Sequence, residues 1–242
     1  MGKSMTLIRP RLTDYHNILL AQEEIDFAIP YLDEDLPLCV DPFLLWKSPS
    51  QQDNALHSIL IDSFNHLGYL VSHKDNKTAE DILIKVSECS EVGLGFSKTR
   101  QGLRIGSKAA QEILSLFRLI PEIRQSGFTH FEAIQLYVDQ ISKDRISDIA
   151  CSFLKSFLID YTIEQCKKYG IPLAEVRIEN IYDAKKHKLT EAENVKLPTN
   201  PETNEPILLV PKRWLRKSPW INSDDYVSEY FSLKILKKNF FG

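Results

Sequence analysis

The chain has 242 residues, 43% of them hydrophobic and 26% charged, with a formal charge of −3 and a pI near 6.1. A chain of this length buries roughly 70–75% of its unfolded surface, so it folds without disulfide or metal staples. The near-neutral charge excludes a global attraction to nucleic acid or membrane, and any polyanion site must be a local patch.

In chain order, "LPLCVDPFLLW" comes first as an apolar run cut by Asp41-Pro42. Proline donates no ladder hydrogen bond, which predicts a strand ending there and a short helix opening at Pro42 with Asp41 as its N-cap. From Gln52 to Leu70, residues Leu56, Ile59, Leu60, Phe64 and Leu67 keep helical spacing, with Gly68 as the stop. Residues 71–80 are polar and read as a loop. "DILIKVSEC" follows as a strand, with Ile82, Ile84 and Val86 alternating. A glycine-rich stretch holds Gly93, Gly95, Gly102 and Gly106, and a helix begins at Ser107 with Ile113, Leu116 and Phe117 on one side. Pro121 ends that helix. "FEAIQLYVDQ" predicts a strand over 132–139. The strongest periodic signal follows, as Ile146, Ile149, Phe153, Phe157 and Tyr161 mark a long helix closed by Gly170-Ile171-Pro172. "LAEVRIENIYD" reads as a strand, residues 184–206 as a polar connection, and "ILLVPKRWL" as a last strand turning out at Pro211.

These elements predict an α/β or α+β fold, a mixed central sheet of about five strands flanked by helices. Residues 1–181 form the main domain. Residues 182–242 form a C-terminal extension, a strand and an aromatic, basic tail packed on the same domain. In the tail Lys212, Arg213, Arg216 and Lys217 interleave with Trp214 and Trp220, which suits either docking on a protein surface or stacking on a single strand.

The four cysteines form no CxxC pair and have no histidine at zinc-finger spacing, so they read as reduced, mostly buried thiols of a cytoplasmic protein. The basic N-terminal residues precede no apolar run of the signal-peptide kind, and no run of about 18 apolar residues marks a membrane span.

Two stretches point to chemistry. Between Glu91 and Glu112 there is no acid, while Lys98, Arg100, Arg104 and Lys108 alternate with glycines that include Gly102 and Gly106. Glycines let a backbone approach an anion, and the helix start at Ser107 adds free N–H groups, so this loop is a candidate anion or nucleic-acid grip. It is neither a Walker A loop nor a GxGxxG turn. The alternative is a tight hairpin with solvated cations. The second stretch, "VDQISKDRISDI", gathers Asp139, Asp144 and Asp148 at a strand end and the first turns of a helix. Carboxylates converging there suit Mg²⁺, which takes one or two of them together with waters and phosphate oxygens. Acids also favour the first turn of any helix through its dipole, with Ser142 or Ser147 as N-cap. A PD-(D/E)xK nuclease would add an ExK triplet. Here Glu175 has the position to assist, but Arg177 stands where the lysine would be, and arginine is a poor general base.

Together "VDPFLLWKS", "LGFSK", "VDQISKDRISDI" and "LLVPKRWL" with "WIN" resemble an uncharacterised bacterial family, many of whose members are encoded in mobile or phage-defence loci. The resemblance covers about residues 28–226 and centres on D-x-I-S-D. Gln140 and Ser142 replace glycines in its turn. It implies a component of an anti-phage defence system. One form is a metal-dependent, nuclease-like effector acting on nucleic acid, DNA rather than RNA. The other is a non-catalytic partner or regulatory subunit of a multi-protein defence complex. Proteins of the same operon are the implied partners.

Overall fold

The computed structural model describes residues 10–96, 104–138 and 141–217. Its helices are α1 (Leu12–Tyr15), α2 (Pro42–Trp46), α3 (Gln51–Ser72), α4 (Asn76–Lys85), α5 (Ser107–Leu119), α6 (Pro121–Ser126), α7 (Lys143–Phe153) and α8 (Lys155–Tyr169). Its strands are β1 (Cys39–Val40), β2 (Ala174–Asp183), β3 (Lys188–Leu197) and β4 (Leu215–Arg216). Helix and strand are mixed, as expected, but the described residues form no central five-stranded sheet. Among the described residues the sheets are two antiparallel pairs, β1 with β4 and β2 with β3.

The difference has local causes. Residues 81–85 are helical because Ala79, Ile82 and Leu83 bury at i, i+3 and i+4, and Asp75 caps the helix by accepting a bond from the Thr78 N–H. Of the alternating residues, Ile82 and Val86 are buried on that side, whereas Ile84 is only partly buried. Residues 131–136 wind into a 3₁₀ turn, and Asp139 lies outside the described residues. The apolar run Ile207–Val210 is buried, yet the strand pairing comes later, at Leu215–Arg216. The polar stretch after Asp183 returns as β3. Asp183 accepts from the backbone N–H groups of Lys185 and Lys186 and so fixes the turn, after which Glu175 stands opposite Lys196 and Ile178 opposite Glu193.

Helix α3 is the axis of the fold. Ser50 caps it by accepting from the Asp53 N–H, and Leu60, Phe64 and Leu67 are fully buried. Phe64 meets the rings of Phe117, Phe128 and Phe131 with centroids 4.9–5.6 Å apart. Burying such a ring contributes about 3–5 kcal/mol against alanine. Gly68 does not stop this helix. A Cβ there would stand 2.3 Å from the Phe117 ring, so the missing side chain is what lets α5 close on α3. α7 and α8 are two helices, broken at Leu154, and Gly170 closes the second in the left-handed conformation.

The C-terminal described segment straps the fold. Arg213 grips the fully buried Asp53 through two bonds, Nε to Oδ2 at 2.8 Å and Nη2 to Oδ1 at 3.0 Å. Trp214 Nε1 donates to the same Oδ1 at 3.0 Å, and Ser48 Oγ to Oδ2 at 2.6 Å. Burial pushes Asp53 up, but the bonds from Arg213, Ser48 and Trp214 and the Arg213 charge outweigh it and hold the carboxyl below its usual range. Arg216 pairs with Asp41 at 3.1 Å. Lys212, Arg213, Trp214 and Arg216 of the tail therefore bond to the chain's own residues, while Lys217 is exposed. Tyr182, Leu197, Leu208, Val210 and Trp214 all belong to the same hydrophobic cluster as Phe64 and Phe153.

Candidate functional site

The site is built around the start of α7. Ser142 is the N-cap, accepting from the Arg145 N–H at 3.3 Å, and it leaves Asp144 in the first turn. Ser147 serves differently: its hydroxyl accepts from the Val40 N–H at 2.9 Å and ties β1 to the helix. Beside that tie the Cys39 thiol donates to Asp144 Oδ1 at 3.3 Å.

Two loops close over this face. Leu36 exchanges backbone bonds with Gly93 and Gly95, both 2.9 Å, which brings Asp35 against the 93–95 turn. Gly95 has φ +137°, and a Cβ there would stand 3.4 Å from Asp35 Oδ2 and 3.9 Å from Asp144 Oδ1. The two carboxylates thus face one glycine, the residue whose backbone adopts that φ without strain. From the other side, Ser152 Oγ donates to the Glu88 carbonyl at 3.2 Å, and Arg145 reaches both the Ser87 carbonyl and the Glu88 carboxylate.

The result is a set of like charges. Burial pushes Asp148 well above the usual carboxylate range, and the neighbouring Glu88, Asp144 and Asp35 push the same way, with Arg145 opposing them. Glu88 is also raised, by burial foremost and by Glu91, against the pull of Arg145.

Alongside lies a cleft of about 220 Å³ whose walls include Glu88, Arg104, Lys155, Arg177 and Asn180. Lys155 is 2% exposed at its base, with Nζ 2.9 Å from Glu91 and 3.1 Å from the Glu179 carbonyl. Burial works to discharge it, but the nearby Cys89 sulfur and the Glu91 carboxylate more than offset this and raise its pKa. Lys155 is therefore a fixed cation at neutral pH rather than a proton acceptor.

Of the residues singled out by sequence, Asp144 and Asp148 share this cluster, and Arg104 lies on the cleft wall. Asp139, Lys98, Arg100 and Gly102 lie outside the described residues. Gly106 precedes α5, and Lys108 is exposed in its first turn. That helix start meets an anion from the chain itself, since Ser107 Oγ and Gln111 Nε2 both donate to the Glu80 carboxylate and hold it below its usual range. Glu175 is exposed near the start of β2 and is not among the residues lining the cleft, whereas Arg177 is. Asp35 and Glu88 escape the sequence reading. Their only local signals are the acidic run "LDEDL" and the acids of "SECSEV" just before the glycine turn.

Among the described residues no group of three or more His, Cys, Asp or Glu is arranged to hold a metal ion. Asp144 and Asp148 nevertheless supply the one or two carboxylates that Mg²⁺ asks of a protein. The pressure on Asp148 from three other acids is what a cation would relieve.

Among the described residues no helix is long and apolar enough to cross a membrane. A family model for a domain of unknown function, DUF8370, matches residues 17–222, and the chain belongs to that family. No curated protein matches the chain, and no solved structure does.

Proposed function

We propose that this DUF8370 member is a nuclease-like effector of anti-phage defence that acts on nucleic acid, DNA rather than RNA, at the start of α7. One observation carries the reading: the half-buried Asp148 stands among Glu88, Asp144 and Asp35 with Arg145 as the opposing cation. Carboxylates forced together in this way take up protons or a metal ion. In this reading Asp144 and Asp148 hold Mg²⁺, which when bound polarises a phosphodiester and acidifies a water. Arg104 and Arg177 on the cleft wall attract the phosphates, and Lys155 contributes a fixed positive charge at its base. Gly95 puts no side chain of its own between Asp35 and Asp144.

The test is cleavage of plasmid DNA and RNA with Mg²⁺ or Mn²⁺ by the protein and by its Asp144→Asn/Asp148→Asn variant. Metal-dependent cleavage lost in the variant, with a melting temperature no lower than the parent's, supports the reading. Equal inactivity of both, with or without the neighbouring gene products, overturns it.

A second reading has its own support. The lack of a three-ligand metal group among the described residues favours a non-catalytic subunit whose acids grip a partner protein of the same operon. Co-purification with such a product, abolished by the same double variant, would support that alternative.

A further inference from the structure

We infer that the site at the start of α7 takes nucleic acid as a single strand and that Phe96 stacks on one of its bases, an inference that rests on the proposed action at nucleic acid. Phe96 is the one exposed phenylalanine among the described residues, at 57%. Exposure of one apolar side chain is ordinary in itself; its position is what matters here. Phe96 directly follows Gly95, whose Cβ would stand 3.4 Å from Asp35 Oδ2 and 3.9 Å from Asp144 Oδ1. The Leu36 N–H donates to the Gly93 carbonyl and the Gly95 N–H to the Leu36 carbonyl, both at 2.9 Å. The aromatic residue therefore leaves a pinned turn one residue from the acids assigned to the chemistry.

The form of the strand follows from the cleft alongside. Its volume of about 220 Å³ is that of a cube about 6 Å on edge, half the width of the major groove of B-DNA, about 12 Å. A duplex lies across such an opening, whereas one strand enters it. Charge argues the same way. Duplex binding without base contacts draws on many phosphate contacts. Here Arg104, Arg177 and Lys155 share the cleft walls with Glu88, Glu91, Glu179 and Glu205, and Lys155 is already paired with Glu91. A single strand offers what a duplex hides, the faces of its bases, and stacking on an aromatic ring is tolerant of sequence. An acid-lined cleft with few free cations gains affinity by that route.

The experiment measures fluorescence anisotropy of the full chain with labelled oligothymidylate, with a duplex of equal length and with an abasic strand, all in EDTA. The single strand should bind tighter than the duplex. Phe96→Ala should weaken single-strand binding by about 5- to 100-fold at unchanged melting temperature, and Phe96→Trp should retain it. On the abasic strand Phe96→Ala should change nothing. Binding of the duplex as tight as that of the single strand would overturn the inference, as would no binding of either. So would a Phe96→Ala variant that binds the single strand like the parent, or that loses as much affinity for the abasic strand as for the intact one. Because binding is read without metal, a chain that holds a single strand through Phe96 yet never cleaves it upholds this inference and refutes the nuclease reading alone.

Discussion

Replacing Asp53 by asparagine tests the strap that holds the C-terminal described segment to α3. The carboxylate is fully buried and receives four side-chain bonds, two from Arg213 and one each from Trp214 and Ser48. The amide keeps one acceptor oxygen but turns an NH₂ toward the Arg213 Nε and loses the charge. Breaking a buried ion pair from one side costs about 3–5 kcal/mol. Arg213 is 35% exposed and keeps its bond to Asp26 at 2.6 Å, so the low end, about 3 kcal/mol, applies. For a chain of this size that lowers Tm by about 6–12 °C. The pH sign is fixed by the depressed carboxyl. Its contribution is full above the ordinary value of 3.8 and is lost as pH falls through the lower folded value. Calorimetry of the protein and of Asp53→Asn should thus show a wide gap at pH 7 that narrows below pH 3.8, with red-shifted tryptophan emission in the variant as Trp214 is released. A shift under about 2 °C at pH 7, or a gap that widens in acid, would refute this account of the strap.

Asp148→Asn should act in the opposite direction. A carboxyl raised in the fold makes stability decline as pH rises from 3.8 toward its folded value, so the variant should melt higher than the parent at pH 7. Mg²⁺ should raise Tm of the parent more than that of the variant, and a less stable variant at neutral pH would contradict the cluster. His57 supplies a third test. It is 6% exposed, burial foremost and then the charge of His130 lower its pKa to about 4, and its Nε2 has no hydrogen-bond partner. Its depressed value makes stability fall by about 3 kcal/mol as pH drops from 6.5 to about 4. His57→Phe should flatten that part of a chemical-denaturation pH series; an unchanged slope would show that His57 is not its source.

Features set by short-range chemistry are legible in the sequence. The Asp41-Pro42 helix start has the expected cap, with Asp41 accepting from the Phe43 N–H, and the helix start at Ser107 and the left-handed cap at Gly170 stand where read. So does the juxtaposition of Asp144 and Asp148 on one helix. What fails depends on partners far along the chain. Gly68 reads as a stop because nothing in its neighbourhood reveals the Phe117 ring against it. β3 reads as a connection because its apolar residues are few, and its pairing comes from the turn at Asp183 and the register with β2. The other acids around Asp148 come from separate loops: Asp35 is delivered by the Leu36 bridge, and Glu88 is held by Arg145 and Ser152. No spacing rule reaches across such distances, whereas the buried face of α7 is written in its own periodicity.

The pairing of Cys39 with Arg216 also has a consequence for synthesis on the ribosome. The edge of β1 and the carboxylate of Asp53 leave the exit tunnel long before the strand and arginine that satisfy them. At ordinary elongation rates the interval is about 9–35 s. Throughout it the nascent chain carries an unpaired acid bound for its own interior. Chaperones and proteases therefore meet an N-terminal portion that lacks the partners of β1 and Asp53 until the last described turn of the chain has been made.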